Sequence, residues 1–180
     1  MKQSGLRISR VLIREMRQGG RIMLGTQLLN ALSTMTGAGP QTATVAGDAG
    51  LLLELDLVAV ESMSCAFDEL RLHVPTLAGR TADQLKTKAD ELCKRVTYLL
   101  EALAPQEVDQ QSSQVLVRSS PPDKQPGETR FYEVLLSATG QITLGRCRSL
   151  PGQPGRDRIT IHLTQEVARK LVDDMVLATA

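Results

Sequence analysis

The side chains best placed to do chemistry in this chain are arginines near its C-terminal end. Arg146, Arg148 and Arg158, with Arg130 and Arg156 nearby, fall on stretches that alternate like strands. With His162 they form a candidate anion-binding set, because a guanidinium fork matches the geometry of a phosphate or carboxylate. The alternative is that they are solvated charges on strand ends, which discourage pairing with other chains.

Little else resembles a reaction centre. There is no Gly-x-Ser-x-Gly, Cys-x-x-Cys, His-Glu-x-x-His or phosphate-loop motif. GAGPQT, residues 37–42, has two glycines in nucleotide-loop spacing, but it lacks the third glycine, a preceding strand and a following Lys-Ser/Thr pair. His73 and His162 are the two histidines of the chain, too few for metal or general-base work without partners at ligand spacing. No catalytic residue, cofactor or metal ligand is assigned, and the protein is expected not to be an enzyme. A site dispersed among Asp, Glu, Lys and Arg is the alternative.

Cys65, Cys93 and Cys147 are widely separated and odd in number. They read as reduced thiols of a cytoplasmic protein rather than a disulfide framework or zinc site. No apolar run reaches the 18 residues of a membrane span. Aromatics make up 2% of the chain, with no Trp, so the core must be aliphatic and base-stacking platforms are scarce.

The net charge is +1 but unevenly spread: residues 1–50 sum to +4, 51–112 to −5, 113–163 to +3 and 164–180 to −1. A basic flank could meet an acidic surface on a partner or a second copy. The leading expectation is a non-catalytic binding or assembly module whose partner is itself, as a homo-oligomer, or another protein. A nucleic-acid-binding accessory protein using the basic flanks is the alternative.

The elements that must position these residues begin with the stretch from Thr81 to Pro105. Leu85, Ala89, Leu92, Val96, Leu99 and Leu103 share one helical face. Thr81 and Gln84 have capping-box spacing, and Pro105 is the expected stop. Asp90 with Lys94 and Glu91 with Arg95 are expected ion pairs on the outer face.

Leu51–Val60 and Cys65–Val74 alternate as strands, with a break at Asp68-Glu69. Gln106–Ser113 reads as a polar connection, Gln114–Arg118 as a short strand and 119–128 as a Pro-rich loop. Arg130–Ala138 and Gln141–Ser149 form the best hairpin. With Thr139-Gly140 as a two-residue loop, Leu135 faces Leu144, Glu133 faces Arg146 and Phe131 faces Arg148. Tyr132, Val134, Leu136 and Cys147 then go to the core. Arg158–Leu163 is a further strand, and Thr164 caps a helix over residues 165–177.

Residues 1–50 read as an extension. Ile8, Val11, Leu12 and Met16 lie opposite Arg7, Arg10, Arg14 and Arg17 on a basic amphipathic stretch, and Leu28, Leu29 and Leu32 suggest a second short helix. Residues 34–50 are linker-like, with small residues, Gly and Thr. The expected fold is therefore a single α+β domain over 51–180, with a largely antiparallel sheet, helices on one face and an N-terminal extension before it.

Overall fold

Leucine at every second position makes a strand that is buried on one side, and residues 52–60 show this most plainly. Leu53, Leu55 and Leu57 are almost fully buried, while Glu54 and Asp56 point the other way. In the computed structural model, which describes residues 17–18, 21–35 and 37–180, this strand lies within a ten-stranded antiparallel sheet. The amphipathic stretch expected around Ile8 to Met16 lies outside the described residues.

The strands of this sheet and the α-helices are α1 (Leu24–Thr34), β1 (Gly37–Ala46), β2 (Leu52–Val60), β3 (Ser64–His73), α2 (Ala82–Arg95), β4 (Leu103–Asp109), β5 (Gln114–Ser119), β6 (Asp123–Gln125), β7 (Glu128–Ser137), β8 (Gln141–Ser149), β9 (Asp157–Ile159), β10 (Ile161–Thr164) and α3 (Gln165–Thr179), and Arg17–Gln18 pairs with Arg21–Ile22 in a separate short ladder. The main path across the sheet is β1-β2-β3-β8-β7-β5-β4, with β6 beside β7. The three helices cover one face, as the sequence predicts for α2 and α3. No described helix covers the other face, called the open face below.

The linker expected over residues 34–50 is instead largely strand β1. Its Ala43 and Val45 are buried, as are Leu24, Leu28 and Leu32 of α1. The domain therefore begins well before residue 51. Glycine and proline are confined to the first four residues of β1, and the register shifts between Ala38 and Gln41 before the regular ladder begins.

α1 has no side-chain cap of its own. Asp173 of α3 supplies one from outside, accepting the Gly25 N–H at 2.8 Å. A Cβ at Gly25 would lie 2.3 Å from the Arg169 carbonyl oxygen, so glycine is what lets the two helices approach so closely.

α2 starts as its capping box predicts, with Thr81 and Gln84 bonded reciprocally. It ends at Arg95 rather than near Pro105. The apolar spacing continues by coincidence: Leu99 lies in the connection and Leu103 opens β4. Tyr98 holds that connection, donating its hydroxyl to Asp174 at 2.9 Å. Pro105 sits in β4, at the edge of the sheet, where a missing N–H is tolerated. The expected polar connection at 106–113 is thus mostly strand and turn. The α2 ion pairs are Lys86–Asp90 and Glu91–Lys94 rather than the two expected.

The hairpin register differs by one residue. Its loop is Ala138-Thr139-Gly140, with Gly140 at φ +87°, a three-residue connection rather than two. Val134 therefore faces Leu144, Tyr132 faces Arg146 and Glu133 faces Gly145. A one-residue slip exchanges the two faces of β8, so Cys147 moves from the helix side to the open side.

β3 and β8 pair only over Glu69–His73 and Gln141–Gly145, then diverge. The single strand expected at 158–163 fills the fork as two pieces, β9 on β8 and β10 on β3. Asp68, at the expected break, is skipped in the pairing of β3 with β2. Thr164 caps α3 by accepting from the Val167 N–H.

Candidate functional site: an uncharged sheet edge

The four residues of the anion-binding set do not share one face. Arg146 and Arg148 have the parity of the buried Ile142 and Leu144. Arg146 is 11% exposed, lies 4.9 Å over the Tyr132 ring and pairs with Glu101 at 2.5 Å. Arg148 pairs with Asp157 and Glu128. Arg158 is on the open face, with its Nη2 2.7 Å from Glu69. A Cβ at Gly145 would collide with its guanidinium, so glycine makes the room Arg158 occupies. His162 is exposed, opposite Ala66 and alternating with buried Ile161.

The open face carries a chain of opposite charges. Arg71 bonds Asp56 through both terminal nitrogens, at 2.6 and 2.8 Å, and reaches Glu54 and Glu69. Arg158 follows on Glu69. Farther across, Glu133 accepts from Arg118 at 2.7 Å, from Arg156 at 2.6 Å and from the Cys147 thiol at 3.3 Å. Burial pushes the Glu133 carboxyl up, but the hydrogen bonds from Arg118 and Arg156 outweigh it and hold the group below its ordinary value. The hydrogen bond from Arg71 likewise lowers Asp56. Burial and the neighbouring Glu133 push the Cys147 thiol up, and burial lifts Cys65 and Cys93 to about 11. These thiols are protonated and weakly nucleophilic at neutral pH.

Cavities accompany this, and two of them bear on the charged groups. One, about 270 Å³, lies on the open face between Glu107, Leu116, Glu133 and Arg156. The other, about 300 Å³ and mostly apolar, lies between Leu24, Leu51, Val74 and Val176, with Asp173 in its wall. Burial raises the Asp173 carboxyl, but its oxygens already serve Gly25 and Arg169. No cluster of His, Cys, Asp or Glu among the described residues could hold a metal, and no described helix is long and apolar enough to cross a membrane.

The feature that sequence reasoning missed is at the edge of the sheet. From Ile22 to Gly47 no residue is charged, in a chain where 23% are. That run is α1 and β1. α1 packs on β1 from the helix side, and among the described residues β1 pairs with β2 alone. No backbone hydrogen bond among the described residues reaches its outer side. Thr42, Thr44 and Ala46 are exposed. The available signal was the uninterrupted lack of charge, which block totals over residues 1–50 conceal.

Comparison with family models, with curated proteins and with solved structures finds no match to this chain.

Proposed function

We propose that the protein is a non-catalytic binding and assembly module that associates with itself through the free edge of β1. The observation that carries this reading is the charge-free run over α1 and β1, ending in a regular strand edge that no described residue pairs with. Natural sheets protect such edges with charge, bulges or covering elements, because exposed N–H and C=O groups recruit another strand. Interface cores are also depleted of charged residues relative to the rest of a surface.

The non-catalytic part rests on how the reactive groups are used. On the open face Glu54, Asp56, Glu69 and Glu133 serve arginines, and Asp173 serves a helix end. Nucleic-acid binding has less support, since Arg118, Arg130, Arg146, Arg148, Arg156 and Arg158 all have carboxylate partners. A reducing, cytoplasmic setting fits three separate free cysteines.

The test is light scattering on the full chain over a concentration series, beside Thr44→Lys. A dimer or larger mass that falls toward the monomer in the variant supports the reading. A wild-type monomer throughout overturns it.

A further inference from the structure

We infer that two copies join β1 to β1 antiparallel about a two-fold axis at Thr44, extending one sheet across both subunits. This rests on the reading of β1 as the self-associating edge, and it names the register and relative orientation of the copies. Side-chain parity fixes where the axis can fall. Residues directly opposite in an antiparallel pair project to the same face. A two-fold axis relating identical strands must therefore fall on a residue, not between two. On the regular part of β1, Gln41–Ala46, the central choices are Ala43 and Thr44.

An axis at Ala43 sets Gln41 against Val45 on the helix side and draws Pro40 into the ladder opposite Ala46. An axis at Thr44 sets Ala43 against Val45 twice on the helix side, where both are already buried. It sets Thr44 against its own copy on the open side, and Thr42 against Ala46. It also leaves Gly39, Pro40 and the shifted register outside the pairing. Apolar residues then meet apolar ones, threonine meets threonine, and no charge is opposed.

The same axis keeps the layers in order. Being perpendicular to the sheet, it puts both sets of helices on one side and both open faces on the other. Uncharged α1, with Asn30, Ser33 and Thr34 exposed, flanks the seam in each copy. The charged open faces become one continuous surface.

Cysteine cross-linking reads the register directly. Either type of antiparallel pair brings opposed Cα atoms to about 4.5–5.5 Å, within reach of a disulfide. Thr44→Cys should therefore cross-link to its own copy under mild oxidation. Thr42→Cys alone should not, because the two copies of that position stand about 13 Å apart at the strand rise. Thr42→Cys mixed with Ala46→Cys should cross-link, as heterodimers only. The wild-type chain, run beside them, gives the background from Cys65, Cys93 and Cys147.

That pattern on a dimer seen by light scattering is the expected result. A dimer in which Thr44→Cys stays uncross-linked, or in which Thr42→Cys alone reacts equally well, overturns the two-fold at Thr44 but leaves self-association standing. A monomer overturns both.

Discussion

The two edges of the sheet face the same hazard and handle it differently. β4, at one end, carries Pro105, shifts its register between Pro105 and Glu107, and exposes Glu107 and Asp109. Asp109 also bends back to accept the N–H groups of Gln111 and Ser112. A second copy laid along β4 would meet a missing donor, an irregular ladder and like charges. β1, at the other end, keeps its glycines, proline and register shift in its first residues and leaves Gln41–Ala46 regular and neutral. The difference teaches that the features which discourage pairing are concentrated at one edge, while the other keeps a regular, uncharged stretch.

The largest effect should come from removing what holds the open edge in place. Gly25→Ala drives a Cβ into the Arg169 backbone and the Asp173 carboxylate, so α1 must move off α3. Overpacking of this kind costs about 1–3 kcal/mol or somewhat more. Thermal unfolding should show a drop in Tm. Hydrogen exchange should quicken in α1 and β1, while the β5–β7 ladder keeps its protection. Uniform loss of protection would mean the two ends of the sheet are not energetically separable.

Next comes charge placed on β1 itself. Thr44→Lys opposes two lysines at the proposed axis, and Glu54, opposite Thr44 on β2, offsets part of the repulsion. Like charges directly opposite in a sheet are destabilising, and the dimer Kd should rise roughly tenfold, or about 1.4 kcal/mol. Because Thr44 is exposed, Tm of the monomer should move by less than about 0.5 kcal/mol equivalent. An unchanged mass would remove β1 from the interface.

The converse change sharpens the comparison from the other side. Glu107→Thr with Asp109→Thr strips charge from β4 but leaves Pro105 and the register shift. Asp109 also orders the following turn, so a local cost of about 1 kcal/mol accompanies its loss. Weak new association is expected, seen as larger species at high concentration. If the double variant associates as strongly as β1, charge alone governs which edge pairs. If it stays unchanged, backbone irregularity suffices.

These contrasts also show which features were legible in the sequence. The capping box at Thr81 and Gln84 was, because its partners are three residues apart. So was the alternation of β2, where Leu53, Leu55 and Leu57 repeat against Glu54 and Asp56. The hairpin was legible as a hairpin, but its register depended on whether the loop held two residues or three. Gly140 announces a positive φ without saying which loop will use it. That one residue decided the faces on which Arg146 and Cys147 lie. The end of α2 was hidden because Leu99 and Leu103 continue the helical spacing while packing from other structure. β1 was hidden because short side chains and an opening Gly-Ala-Gly-Pro resemble a linker, whereas its burial depends on α1 and β2 beneath and beside it.

The smallest expected effect is on solution conditions, and it separates the charged face from the neutral edge. Glu133 and Asp56 are held below their ordinary values of 4.5 and 3.8. A carboxyl depressed on folding adds stability that is present above its unfolded pKa and is lost as pH falls through the folded one. Asp173, raised by burial, acts in the opposite sense and becomes easier to bury as it takes up a proton. With the arginine-bound carboxylates in the majority, Tm should decline as pH falls below about 4.5. Raised salt should weaken the exposed pairs slightly. The β1 seam opposes no charges, so its Kd should change by less than about twofold across the same salt series. It should also stay constant with falling pH until the fold itself gives way. A dimer that dissociates steeply with salt would move the interface from the neutral edge to the charged face.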